Sequence, residues 1–251
     1  MIFAWLMGLL ACGSSGMSNL DKTNPSPNTE TQDSTSHSTA STGSTVCDPA
    51  PGIPGEDVSF EMQWEGRTRT WNVHIPAGYD CSPTPVVVGL HYYTGTATNF
   101  EHEVAQIHKW LDEHGVIGIF PNAMARGTGP DDDWVTAFND ISSHHDDGPD
   151  GATCTSWAQD YGVFEDCSEA ETARSCHWGT SCADDVGFVR AVLAQASETW
   201  TVDPDRIHLT GFSQGAIATQ TWAWYLQDVL ASVAPLHGFA ANGHKIGRAH
   251  V

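Results

Sequence analysis

The pentapeptide Gly211-Phe212-Ser213-Gln214-Gly215 constrains this chain more than any other feature. An apolar strand pattern, Arg206 to Thr210, runs into it, and an apolar helix pattern, Ala216 to Leu226, runs out of it. Val202-Asp203-Pro204-Asp205 predicts a turn ahead of the strand. A serine held in a strained strand-to-helix turn needs small residues two positions before and two after it, because strand and helix must pass closely there. This is the setting of a nucleophile elbow. A surface turn that happens to contain Ser is the competing reading, and the strand and helix flanks argue against it.

The rest of the pattern is α/β. Val58, Phe60, Met62 and Trp64 alternate with polar residues, Glu65-Gly66 offers a turn, and Trp71, Val73 and Ile75 alternate again, predicting an antiparallel hairpin at a sheet edge. Pro85 to Leu90 is a continuous apolar run, as in a central parallel strand covered on both faces. Phe100, Val104, Ile107 and Leu111 recur at helical spacing up to Gly115, and Val116 to Phe120 predicts a second buried strand. Asp184 to Trp200 predicts a helix with both aspartates at its start, where capping and the helix dipole favour negative charge. A last strand is expected over Leu230 to Leu236. The sum is a mostly parallel twisted sheet with helices on both faces.

Residues 122–182 interrupt this rhythm with an aromatic-rich excursion. A structureless loop of that length is improbable in a compact domain, so a braced insertion or lid bordering the active site is expected. Tyr93, Trp134 and Trp178 are candidates for contacting a sugar or phenyl group; a small satellite core is the equal alternative. Setting Cys12 aside from the 7 cysteines leaves Cys47, Cys81, Cys154, Cys167, Cys176 and Cys182. An even number in an exported chain predicts disulfides, with pairing left open. The absence of a C-x2-C knuckle argues against zinc.

Export follows from the N-terminus. Met1 to Ala11 is apolar and too short to span a bilayer, and it ends in Leu9-Leu10-Ala11-Cys12. This resembles a bacterial lipoprotein signal, over 1–12, with Cys12 as the lipidated residue; an ordinary secretory signal is the alternative. No Lys or Arg precedes the apolar run. Residues 13–46 are dominated by Ser, Thr, Asn, Pro and Gly and read as a disordered tether. A formal net charge of -21, from 31 acidic against 10 basic residues, argues against nucleic acid or an anionic membrane as partner, leaving a lipid anchor as the only membrane attachment.

A serine hydroxyl needs a base to take its proton and donors for the oxyanion that forms. In elbow enzymes one donor is the N–H of the residue after the nucleophile, here Gln214, and the second comes from the loop after the early buried strand, where Tyr92 is the best candidate. His91 reads as a loop-shaping residue. The segments Trp71-Asn72-Val73-His74-Ile75-Pro76-Ala77-Gly78-Tyr79-Asp80, Asp184-Asp185-Val186-Gly187-Phe188, Val202 to Ile207, Gly211 to Ala216 and Val233-Ala234-Pro235 together resemble the secreted feruloyl esterase and polyhydroxybutyrate depolymerase group of α/β-hydrolases. The likeness runs from about Val58 to Gly238 with a divergent middle. It implies a serine carboxylic ester hydrolase with no cofactor, acting on plant cell-wall polysaccharide esters such as feruloyl or acetyl xylan. A polyester backbone is the alternative substrate, and a noncatalytic polysaccharide-binding module the alternative from another class. That group usually has His-Gly where this chain has His91-Tyr92.

The triad order of this fold is Ser, then Asp or Glu, then His. After Ser213 the chain offers Asp228, His237, His244 and His250, and neither Asp228 nor His237 stands where the resemblance puts a triad partner. Lys245 to Val251 looks like a translated sequencing adapter, so residues 47–244 are expected to be a hydrolase domain lacking its C-terminal strands, with 245–251 an artefact. His144-His145-Asp146-Asp147 fits no standard metal loop and reads as a solvated acidic surface, so no metal is expected.

Overall fold

The computed structural model describes residues 52–125, 135–140 and 181–238. Expectations for Cys12, Cys47, Trp134, Cys154, Cys167, Cys176 and Trp178, and for 1–46 and 245–251, lie outside the described residues. Among the described residues no helix is long and apolar enough to cross a membrane.

Strands β1 (Asp57–Trp64) and β2 (Arg67–His74) form the edge hairpin, joined by Glu65 at φ 50 and Gly66 at φ 76. Two left-handed residues in a two-residue loop match the right-handed twist of the strands they join. Strand β3 (Thr84–Leu90) and strand β4 (Ile117–Pro121) are buried at every position, as expected of continuous apolar runs under helices on both faces. The excursion contributes a two-stranded ribbon, β5 (Met124–Ala125) and β6 (Thr136–Ala137). Strand β7 (Val202–Phe212) leads into the elbow and β8 (Ser232–Leu236) pairs with it in parallel. The main sheet has the order β1-β2-β4-β3-β7-β8, antiparallel through β1, β2 and β4 and parallel from β4 to β8.

Alternation along the buried strands serves two layers. Val86, Val88, Leu90, Ile117, Ile119 and Leu209 face a core closed by Phe188, Val189 and Val192 of helix α2 (Asp185–Thr199) and by Ala218 and Trp222 of helix α3 (Gln214–Tyr225). On the opposite face Phe100 and Phe120 lie over Gly89, and Leu111 of helix α1 (Ile107–His114) lies over Gly118. Removing each such large side chain from water contributes ~2 kcal/mol.

Two local expectations are corrected. The helix predicted through Phe100 and Leu111 is two pieces, a π-helical turn Asn99–Val104 and then α1, separated by Gln106 in the left-handed region at φ 48. The helical spacing survives the break because Phe100, Ile107 and Leu111 are all buried, so periodicity alone does not reveal it. The turn predicted at Val202 to Asp205 is instead the start of β7. Its Pro204 is accommodated by a register irregularity between Thr84 and Val86 of the neighbouring strand, and Asp203 Oδ1 accepts from Asp205 N–H at 3.0 Å.

Of the two aspartates opening α2, Asp184 is the N-cap, accepting from Gly187 N–H at 2.9 Å. Asp185 does something else: it is buried and paired with Arg69 of β2 at 2.5 Å, and Arg69 also lies over the Phe188 ring. Cys81 and Cys182 are each disulfide-bonded.

Candidate active site

Ser213 stands between β7 and α3 at φ 56, ψ -116, a conformation a β-substituted residue adopts only when its surroundings impose it. Those surroundings are visible. A Cβ on Gly211 would overlap the Gly215 carbonyl, and a Cβ on Gly215 would overlap the carbonyls of Leu90 and His91. Glycine at both positions therefore permits two close approaches, strand end against helix start and helix start against the loop leaving β3. The turn is tied down from the other side as well: Ser213 N–H donates to Leu236 O at 3.0 Å, and Ser213 O accepts from Ala216 and Ile217 N–H at 3.0 and 3.1 Å.

Gln214 is the first residue of α3, so its N–H belongs to the donors that no helical carbonyl satisfies. Its side chain has a second role that sequence reasoning missed. Buried, it donates from Nε2 to Phe138 O at 2.7 Å and accepts at Oε1 from Phe138 N–H at 3.3 Å. Trp222 Nε1–H and Thr221 Oγ1–H bind the carbonyls of Asn139 and Asp140, at 2.8 and 2.7 Å, and Asn139 N–H donates to Asp185 at 2.6 Å. Helix α3 and the Arg69–Asp185 pair thus hold residues 138–140 against the elbow. Burial raises the Asp185 carboxyl above its usual range, and the Arg69 charge opposes that.

The loop after β3 is shaped by His91, which is fully buried. Its Nε2 accepts from Ala123 N–H at 3.0 Å, so Nδ1 carries the proton and donates to Tyr92 O at 2.8 Å. Both ring nitrogens are occupied, and burial lowers the imidazole to about 4, so His91 is neutral and its lone pair is engaged. Tyr92 O also accepts from Gly95 N–H at 2.8 Å, closing a tight turn, and Thr94, at φ 66, donates to Thr136 O at 2.8 Å. Tyr92 lies edge-on to Phe212, the residue before Ser213, with ring centroids 6.4 Å apart. Tyr93 packs instead on Val135 and Ala137, a small satellite core beside the loop.

Among the described residues no side chain hydrogen-bonds Ser213 Oγ. Asp228 is exposed and engaged by Arg190 at 2.6 and 3.0 Å. His237, at φ 57, rests its ring on Phe212 at 5.4 Å, and Gly238 after it presses against Ala216. The elbow, the head of α3 and the loop after β3 are therefore brought together, and among the described residues no side-chain base is hydrogen-bonded to Ser213.

A mixed sheet in this strand order, with a serine at positive φ between its fifth strand and the following helix, defines the α/β-hydrolase fold. No protein-family model and no curated protein matches the chain. Among solved structures it is similar to an acetyl xylan esterase from Aspergillus awamori, at 14% identity and a TM-score of 0.46, over 73% of this chain and 53% of the other. It is also similar to an S-formylglutathione hydrolase from Agrobacterium tumefaciens, at 16% identity and a TM-score of 0.45, over 70% of this chain and 56% of that one. A fluorophosphonate-binding serine hydrolase from Staphylococcus aureus gives 15%, 0.44, 74% and 58% in turn. The chain spans just over half the length of these structures.

Proposed function

We propose that the protein is an exported serine carboxylic ester hydrolase that works through an acyl-enzyme on Ser213. The observation that carries the reading is the conformation of Ser213, φ 56 at the mouth of α3, held by close glycine packing on both sides. Strain of this kind is found where a group must be presented rather than packed. Ser213 Oγ attacks the ester carbonyl and gives its proton to a histidine outside the described residues, which with a carboxylate follows Ser213 in the chain order of this fold. The negative charge on the tetrahedral oxygen is met by the N–H groups of Gln214 and Tyr92; loss of one such donor costs ~3 kcal/mol in the barrier. The alcohol leaves, and water releases the acid.

The substrate class proposed is an acylated plant cell-wall polysaccharide, a feruloyl or acetyl xylan ester, on the strength of the sequence motifs from Trp71 to Pro235 and the aromatic-rich excursion. Export is through the N-terminal signal, with Cys12 as the lipid anchor. Protein expressed from the full gene should hydrolyse methyl ferulate or 4-nitrophenyl acetate, and Ser213→Ala should reduce kcat by at least ~10³-fold. Undiminished turnover in that variant removes Ser213 from the mechanism. Release of hydroxy acid from a polyester film, with no action on methyl ferulate, moves the substrate to the polyester class. Polysaccharide binding with no hydrolysis of any ester identifies a binding module.

A further inference from the structure

Asp57 opens β1 and His74 closes β2, and the antiparallel register sets them directly opposite each other. The π-helical turn Asn99–Val104 brings Glu101 and His102 to the same place. Asp57 then lies between the two imidazoles, Oδ1 at 2.7 Å from His74 Nδ1 and Oδ2 at 2.6 Å from His102 Nε2. Glu101 lies between them too, Oε1 at 3.6 Å from His74 Nδ1 and Oε2 at 3.6 Å from His102 Nε2. Glu101 is fully buried, yet neither of its oxygens has a hydrogen-bond partner among the described residues. A buried carboxylate without donors is costly unless something else neutralises it. Here both oxygens are aimed at a convergence of nitrogen and oxygen donors.

We propose that Asp57, His74 and Glu101, whose donor atoms all lie within 4.8 Å of one another, form a binding site for a divalent cation of the zinc type, with His102 beside it. Donors bonded at about 2.1 Å in a tetrahedral shell stand about 3.4 Å apart, close to the 3.6 Å between Glu101 Oε1 and His74 Nδ1. Asp57 stands nearer to His74, at hydrogen-bond distance, and its carboxylate is partly exposed. The imidazole nitrogen of His74 among the donors selects zinc over calcium, which takes oxygen alone. The outer groups fit the assignment. His74 Nε2 meets Asp112 Oδ1 at 3.1 Å, leaving Nδ1 for the metal, and Asp112 is itself held by Ala77 N–H at 2.8 Å. The His108 ring lies against His102 with centroids 4.3 Å apart. The ion would join the edge hairpin to the turn that follows the β3 loop. The site shares no residue with the elbow and does not rest on the hydrolase reading.

The test is zinc binding to untagged protein stripped with chelator, measured by calorimetry with zinc chloride and then with calcium chloride. Circular dichroism checks that each variant is folded. The expected result is saturable binding of zinc at one ion per chain, no competition from calcium, and a Tm raised by ~5 °C with zinc in excess. Glu101→Gln and Asp57→Asn should each weaken binding at least ~10-fold and remove the zinc-dependent Tm shift. Both substitutions keep the side-chain shape without charge, and Asp57 is partly exposed, so both variants are expected to fold. Absence of saturable zinc binding by folded protein overturns the proposal. So does binding equal in both variants, or preferred binding of calcium.

Discussion

At the scale of single residues, Ser213 shows how a strained conformation is maintained by what its neighbours lack. Gly211 and Gly215 leave no room for a methyl group against the Gly215, Leu90 and His91 carbonyls, so a Cβ at either position has to move backbone rather than a flexible side chain. Gly215→Ala should lower stability by about 1–3 kcal/mol and displace the β3 loop, with activity falling further than stability alone predicts; parallel denaturation and kcat/KM measurements check both. His91 makes a second prediction. Its folded value near 4 lies below the ordinary 6.5, so the unfolded chain takes up a proton that the native chain refuses. The stability conferred by a neutral His91 is complete above pH 6.5 and is lost as pH falls toward 4, ~3 kcal/mol in all. Unfolding free energies between pH 6.5 and 4.5 should fall about 1.4 kcal/mol per unit less steeply in His91→Gln than in the unsubstituted protein. Parallel pH profiles would show that His91 titrates normally.

At the scale of elements, the segment 135–140 has little regular structure of its own and is positioned by others. Gln214, Thr221 and Trp222 hold it from α3, and Asp185 holds it from α2 while paired with Arg69 on β2. Removing one partner of a buried pair leaves an uncompensated charge, whereas replacing both by apolar groups does not. Asp185→Asn should therefore cost about 3–5 kcal/mol, and the double variant Arg69→Met, Asp185→Leu distinctly less than the sum of the single changes; a double-mutant cycle by urea denaturation measures the difference. This part of the site was poorly legible in the sequence. Asp185 beside Asp184 reads as helix capping, because capping is local and its pattern is short, while its partner Arg69 is distant in the chain. The same limit hid the break at Gln106 and the convergence of Asp57, His74, Glu101 and His102. Each depends on which elements become neighbours, and spacing along the chain does not record that.

At the scale of the whole molecule, the elements that sequence made legible are those whose burial is one-dimensional. Strands β3 and β4 are covered on both faces and read as unbroken apolar runs; the hairpin β1–β2 reads as alternation with a two-residue turn; α2 carries buried residues at helical spacing, and α3 is an apolar run buried on nearly every side. The strand order, with β4 between β2 and β3, depends on which strands become neighbours and is not recorded by those types. The elbow was legible for a further reason: its glycines are demanded by two close approaches that involve residues 211, 213 and 215 alone on one side and the β3 loop on the other. What the sheet achieves for the proposed chemistry is to bring the end of β7 and the start of α3 against the end of β3, where Gly215 packs on the Leu90 and His91 carbonyls.

The central claim is that Ser213 is a nucleophile that becomes acylated, and trapping the acyl-enzyme tests it most directly. Protein from the full gene, mixed with 4-nitrophenyl acetate, quenched in acid within the burst and digested, should yield the Ser213 peptide carrying one acetyl group, with none in Ser213→Ala. Acetyl recovered only on another residue, or hydrolysis persisting in Ser213→Ala, would contradict the account.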